Sequence, residues 1–270
     1  MKKFSKILSM ILIFSIIISS TFILNTKDSY ALSKKYVENT RSGVTYSYDL
    51  DKNGKKEKIM CLIYTDEYGY YTLDLYINNK LVRTYSELED IPCVSIYDFN
   101  KNDNSLDIYI ELVHESMYIN CRIIKYNKGT TKSYVFDGTL DSFDSNTGQI
   151  KLNQSFPSSS DKFGMCIGGY SVKVPYKVTK TSIKRISSTT YSVSSYVRNH
   201  KYIASKTLTA YKTTSGKTKN FTIKKGAKFN IVALYKNGKT EYIKVKNSYG
   251  KYGYIKTQST LIVKNPFYAS

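Results

Sequence analysis

The sequence predicts an all-β protein, on three observations. Tyr accounts for 27 of 270 residues, alongside abundant Thr, Val and Ile, whose flat or branched side chains suit a pleated, half-buried surface. Apolar and polar residues alternate, as in YYTLDLYINNKLVRTY from Tyr70 to Tyr85, the period-two pattern of a strand with one wet face. Beyond the N-terminal apolar run, no stretch carries the periodicity of an amphipathic helix.

The chain opens with Lys2, Lys3 and Lys6, then the uncharged run ILSMILIFSIIISSTFIL and a short polar stretch ending at Ser29, Tyr30 and Ala31. A basic start, an apolar centre and small residues before the bond after Ala31 are the layout of a secretory signal peptide over residues 1–31. An uncleaved anchor is the alternative, because about eighteen mostly apolar residues nearly span a bilayer. The reading favours cleavage, an extracellular mature chain of about 240 residues and no stable membrane insertion afterwards.

Residues 32–195 read as a β-repeat domain. YTLDLYI and KLVRTY flank Asn78 and Asn79, which tolerate positive φ, so a tight hairpin is predicted there. The stretch YDLDKNGKKEKI at Tyr48–Ile59 returns 49 residues later as YDFNKNDNSLDIYI from Tyr97, and in degraded form another 46 residues on as FDSNTGQIKL from Phe143. Periods near fifty residues with several short strands each mark propeller blades or a similar β array. Three such units are too few for a usual closed propeller, which leaves a repetitive β-meander as the expectation. The two clear copies resemble the calcium loops of bacterial propeller repeats of the integrin-like or VCBS type, in which alternate Asp and Asn side chains precede a strand.

Calcium takes about six to eight oxygens, and alternate residues of a tight loop can aim carboxylates inward. In the first copy those residues are Asp49, Asp51, Asn53 and Glu57, with the Lys55 carbonyl to add and Gly54 at the bend. The second copy offers Asp98, Asn100 and Asn102, with Asp107 arriving one residue late and Asp103 in place of the glycine. Fewer anionic ligands imply weak calcium binding at best, and no other cofactor is expected. The competing reading is that these side chains bond their own loop backbone while Lys52, Lys55 and Lys56 repel a cation. The sequence leans toward that corner-turning role.

Charge divides the chain. Residues 1–170 hold 20 basic and 20 acidic residues, whereas residues 171–270 hold 21 basic residues and one acid, Glu241. Clustered ammonium groups raise the local potential and draw in polyanions, so the C-terminal part should meet an anionic partner. Cys61, Cys93, Cys121 and Cys166 lie in strand-like runs with no C-x-x-C spacing, which gives a zinc site no support. Buried thiols and disulfides in any of three pairings both stay open.

The Ser/Thr-rich stretch ISSTTYSVSSY at Ile186–Tyr196 marks the expected boundary, leaving 196–270 as a small barrel. ALYKNGKTEYIKVK predicts a hairpin at Asn237–Gly238. IKKGAKFNIV with Gly226, YIKVK, and YGKYGYI with Gly250 and Gly253 resemble a bacterial SH3-like domain of five strands. Two departures are visible: AYKTTSGKT replaces the family's Arg-Ser-Gly-Pro opening, and Tyr242 and Tyr254 stand where the family has tryptophans. The resemblance implies attachment of an exported protein to the peptidoglycan of a Gram-positive wall. Candidate contacts to peptidoglycan or an anionic wall polymer are Tyr211, Tyr235, Tyr242, Tyr252 and Tyr254, which can stack, with Lys244 and Lys251. Ordinary core and cross-strand pairing is the alternative for these tyrosines.

Catalytic groups are scarce. His114 and His200 sit in no nucleophile or metal motif, and Cys121, seven residues from His114, falls on the opposite strand face. SELEDIP from Ser86 reads as an acidic turn as readily as an acid/base pair. A single carboxylate in the basic part excludes two-carboxylate glycosidase chemistry there. The expectation is a non-catalytic, exported wall-binding protein whose N-terminal β domain serves adhesion or ligand recognition. A wall hydrolase or peptidase with an unrecognised catalytic set is the alternative. Nucleic acid is not an expected partner, since the chain is exported and lacks base-reading motifs.

Overall fold

The computed structural model describes residues 35–37, 40–114, 118–155 and 162–266; the expected signal peptide, 1–31, lies outside them. The described residues form one compact unit. The architecture is all-β, with twenty strands and two five-residue helices among the described residues. Strand β1 (Lys35–Val37) joins the second sheet described below.

Three antiparallel meanders follow in chain order. The first sheet runs β2 (Thr45–Tyr48), β3 (Glu57–Thr65), β4 (Tyr71–Ile77) and β5 (Lys80–Leu88). The second runs β6 (Cys93–Tyr97), β7 (Asp107–His114), β8 (Tyr118–Asn127) and β9 (Thr130–Asp137), with β1 on the β6 edge. The third runs β10 (Thr139–Asp144), β11 (Gln149–Gln154), β12 (Val172–Thr179) and β13 (Ser182–Arg185). Each repeat of the Tyr-Asp or Phe-Asp stretch therefore supplies the loop between the first two strands of a sheet. Asn78 and Asn79 turn the β4–β5 hairpin at φ 53° and 64°, the positive values that a tight two-residue turn needs and that Asn accepts.

Burial follows alternation along β7. Ile108, Ile110 and Leu112 pack with Ile59, Leu73 and Leu75 of the first sheet, while Tyr109 packs with Ile150 and Leu152 of the third. The second sheet is thus covered on both faces, which is why DIYIELVH reads as a nearly continuous apolar run. Phe99, fully buried, meets Phe143 edge-on at 4.9 Å between ring centroids.

The last sheet is built from β14 (Thr190–Ser192), β15 (Tyr202–Ile203), β16 (Leu208–Tyr211), β17 (Lys219–Ile223), β18 (Lys228–Asn237), β19 (Thr240–Asn247) and β20 (Tyr252–Lys256). Its order is β14-β18-β19-β20-β16-β17, with β15 also on β18. Where five strands closing into a barrel were expected, six strands form a path that does not close among the described residues, and a seventh, β15, lies beside it on β18. The helices α1 (Phe163–Ile167) and α2 (Ser195–Asn199) pack beside it. Phe163, Cys166, Val172 and Tyr191 share one core with Leu208, Phe229, Ile243 and Ile255, so this core draws on residues before the expected 195/196 boundary, which itself falls inside α2. The β18–β19 turn is centred one residue later than expected: Asn237 pairs with Thr240, and Gly238 takes the positive φ, 57°. None of the four cysteines is in a disulfide.

Candidate functional site

Two arrangements of side chains carry chemistry, the acidic loops of the meanders and a basic aromatic face on the last sheet. In the β2–β3 loop, Asp49 accepts the N–H groups of Asn53 and Gly54 at 2.9 and 2.8 Å, and Asn53 accepts that of Lys55 at 2.8 Å. Gly54 takes φ 91° to allow the bend. Those two side chains do the corner-turning that Asx loops do. Asp51 and Glu57 behave differently, being 3 % and 4 % exposed. Glu57 Oε2 accepts the Leu50 N–H at 2.9 Å, and Asp51 Oδ2 accepts that of Lys128, from the β8–β9 turn, at 2.9 Å. Asp51 Oδ1 is buried without a hydrogen-bond partner. One oxygen each of Asp49, Asp51 and Glu57 lie within 4.8 Å of one another. Burial holds the Glu57 carboxyl above its usual range; the Leu50 N–H opposes this, and the charges of Asp51 and Asp49 add to it. A hard cation would relieve that crowding and give the orphaned oxygen a partner.

The β6–β7 loop is wired otherwise. Asp98 Oδ2 meets the Lys52 ammonium at 3.1 Å. Asn100 and Asn102 turn their amide N–H groups to the third sheet's side, donating to the carbonyls of Val178 and Asn146, each at 2.9 Å. Asp107 lies 2.6 Å from the ammonium of Lys125, a residue the sequence reading passed over. In the third copy Asp144 accepts the Thr147 hydroxyl and the Asn146 N–H, bonds that hold its carboxyl below the usual range.

On the last sheet, directly paired residues share a face. Tyr235 pairs with Tyr242, Lys244 and Tyr211 each pair with Tyr254, and Lys246 pairs with Tyr252. Register thus collects all five predicted tyrosines and Lys244 on one side, opposite the core-facing Ile243, Val245 and Ile255. Lys244 Nζ stands 5.7 Å from the Tyr252 ring centroid and 5.8 Å from that of Tyr254, and Lys246 Nζ stands 5.5 Å from Tyr252, within cation–π range. Tyr252 is about half exposed, Tyr211, Tyr235 and Tyr254 are half-buried, and Tyr242 is buried. A Cβ on Gly216 would fall 2.5 Å from the Tyr242 hydroxyl, so Tyr242 is roofed by the Thr213–Gly216 turn and withdrawn from contact. Lys251 is exposed in the turn that Asn247 organises by accepting the N–H groups of Tyr249 and Lys251. Lys246 belongs to the face and was missed, although its place two residues from Lys244 on a strand puts it on the same side. Glu241 lies 3.0 Å from the Lys236 ammonium, accepts the Lys162 N–H at 3.2 Å and is 7 % exposed. The single carboxylate of residues 171–270 is therefore both buried and neutralised.

An open cavity of about 600 Å³ lies where Thr40–Ser42 meet Ile91–Cys93, walled also by Ile63 and Tyr71. Cys121 and His114 are on opposite faces of the second sheet, paired with Glu111 and Tyr118, and burial pushes the Cys121 thiol up to about 12. Such a thiol is a poor nucleophile at neutral pH. Compared with family models, with curated proteins and with solved structures, the chain has no match.

Proposed function

We propose that this is an exported, non-catalytic protein that docks on the bacterial cell wall through the outward face of β19 and β20. The observation that carries the reading is Lys244, set between the rings of Tyr252 and Tyr254 with Lys246 beside it, in a segment whose one carboxylate is consumed internally. Ammonium groups draw a polyanion, and flat aromatic edges give it something to stack on. The SH3-like reading of this segment supports the same assignment. The meanders ahead of it serve adhesion or ligand recognition, with the cavity at Thr40–Ser42 as a concave entry for a small ligand. Calcium in the β2–β3 loop, on Asp49, Asp51 and Glu57, is the cofactor that the orphaned Asp51 oxygen supports.

The test is sedimentation of the mature chain with purified walls. Against an anionic surface each exposed Lys contributes about 1 kcal/mol, so replacing Lys244, Lys246 and Lys251 by Gln should weaken binding by about two orders of magnitude. Retention unchanged in that variant would sink the proposal. Competition with DNA at fixed ionic strength separates a wall polymer from any polyanion.

A further inference from the structure

We propose that the β6–β7 loop is a cation site whose resident cation is the chain's own ammonium, that of Lys125, and that this lysine makes the loop independent of metal. Glu57 opens β3 opposite Tyr48, and Asp107 opens β7 opposite Tyr97, so the two acids occupy the same place in successive meanders. In the first sheet β4 ends at Ile77, opposite Ile59, and no β4 residue faces Glu57. In the second sheet β8 runs on past the corresponding pair, Tyr109 with Ile123, and sets Lys125 directly opposite Asp107. Opposed residues share a face, so the longer hairpin delivers an ammonium to the acid.

Burial and charge make that ammonium the loop's cation. Lys125 Nζ lies 2.6 Å from Asp107 Oδ1 and 3.7 Å from Asp103 Oδ2, and the three side chains are 3 %, 0 % and 6 % exposed. Around them Asp98 Oδ1, Asp103 Oδ2 and Asp107 Oδ2 are buried with no hydrogen-bond partner. Such a group of carboxylates is tolerated only with a positive partner among them. A divalent ion placed there would repel Nζ, so the ammonium excludes it. The third copy repeats the device in reduced form: Ile150 takes the place of the acid, opposite Tyr176, and the Lys177 ammonium donates to the Thr147 carbonyl of its loop. Of the three loops, only the first has a carboxylate cluster that no ammonium touches among the described residues; the Lys180 ammonium reaches that loop only at the Asp51 carbonyl, at 3.5 Å. The contrast rests on the calcium reading of that first loop, but the test below does not.

Calcium uptake is titrated calorimetrically at pH 8 on metal-stripped mature chain, with melting followed in parallel. The proteins compared are wild type, Glu57→Gln, Glu57→Gln with Asp107→Asn, Glu57→Gln with Lys125→Met, and this last variant with Asp107→Asn added. Glu57→Gln should take up no calcium. Adding Lys125→Met should restore one ion, with Kd about millimolar and a melting temperature that rises with calcium. Adding Asp107→Asn should abolish that uptake. A Lys125→Met double variant that folds and takes up no ion overturns the proposal, as does one left unfolded at about 20 mM calcium, or a Glu57→Gln protein that still binds calcium in a manner lost with Asp107→Asn. A wild type that binds no calcium refutes the reading of the first loop alone, because the Lys125→Met result is read in a background where that loop is disabled.

Discussion

Asp51 and Asp107 are buried acids with opposite company, and each predicts a different response. Asp51 keeps one oxygen without a partner beside two further carboxylates, so calcium should stabilise the fold. With Kd near 1 mM, about 10 mM calcium adds about 1.4 kcal/mol, which for a chain of this size raises Tm by about 3–5 °C. Scanning calorimetry should show that rise in the wild type and its loss in Glu57→Gln; equal shifts in both would remove the first loop as the site. Asp107 sits beside Lys125, yet burial raises its carboxyl from 3.8 to about 7, and the charges of Asp103 and Asp98 act the same way. A carboxyl whose folded-state pKa is raised favours the fold at low pH, and that contribution is lost as pH climbs from about 4 through about 7. The stability of wild type minus that of Asp107→Asn should therefore fall across this window, with a slope of at most about 1.4 kcal/mol per pH unit. Urea unfolding at several pH values measures it, and a flat or rising difference contradicts the assignment.

At the level of elements, strand pairing and turn geometry decide which side chains meet. The β9–β10 connection turns at Gly138, with φ 89°, and a Cβ there would lie 1.8 Å from the Asn153 carbonyl oxygen. Gly138→Ala should cost at least about 2 kcal/mol, combining backbone strain with displacement of β11; denaturant midpoints would show it, and a loss under about 0.5 kcal/mol would mean the turn yields. Much of this level was legible beforehand. Alternation marked β4 and β5, Asn78–Asn79 marked their turn, and the recurring Tyr-Asp stretch marked the first loop of each meander. Hairpin length was not legible, because LYINNKLV and IIKYNKGTTK both read simply as strand, turn, strand. The extension of β8 beyond Ile123 to Asn127, which carries Lys125 to Asp107, emerges only once the ladders are in register.

Across the whole molecule, charge is separated from acidity. The meanders hold nearly all the carboxylates and spend them in loops and ion pairs, while residues 171–270 keep 21 basic groups against one buried acid. Electrostatic docking of that segment implies that wall retention falls as salt shortens the screening length, on the same sedimentation assay used for the lysine variants. Core sharing ties the parts together: the second sheet contributes Ile108 and Ile110 to one core and Tyr109 and Ile123 to another, so alternate residues of one strand cement both neighbours.

The sequence by itself determined the all-β class, the three repeats, the basic C-terminal segment and the acidic loops, because these are set by composition and by patterns within a dozen residues. Tertiary structure alone decided which oxygens are left over and which ammonium reaches them. Asp51 answers to Lys128 and Asp107 to Lys125, partners 77 and 18 residues away in the chain. Burial of a charge depends on neighbours that the chain brings together only by folding.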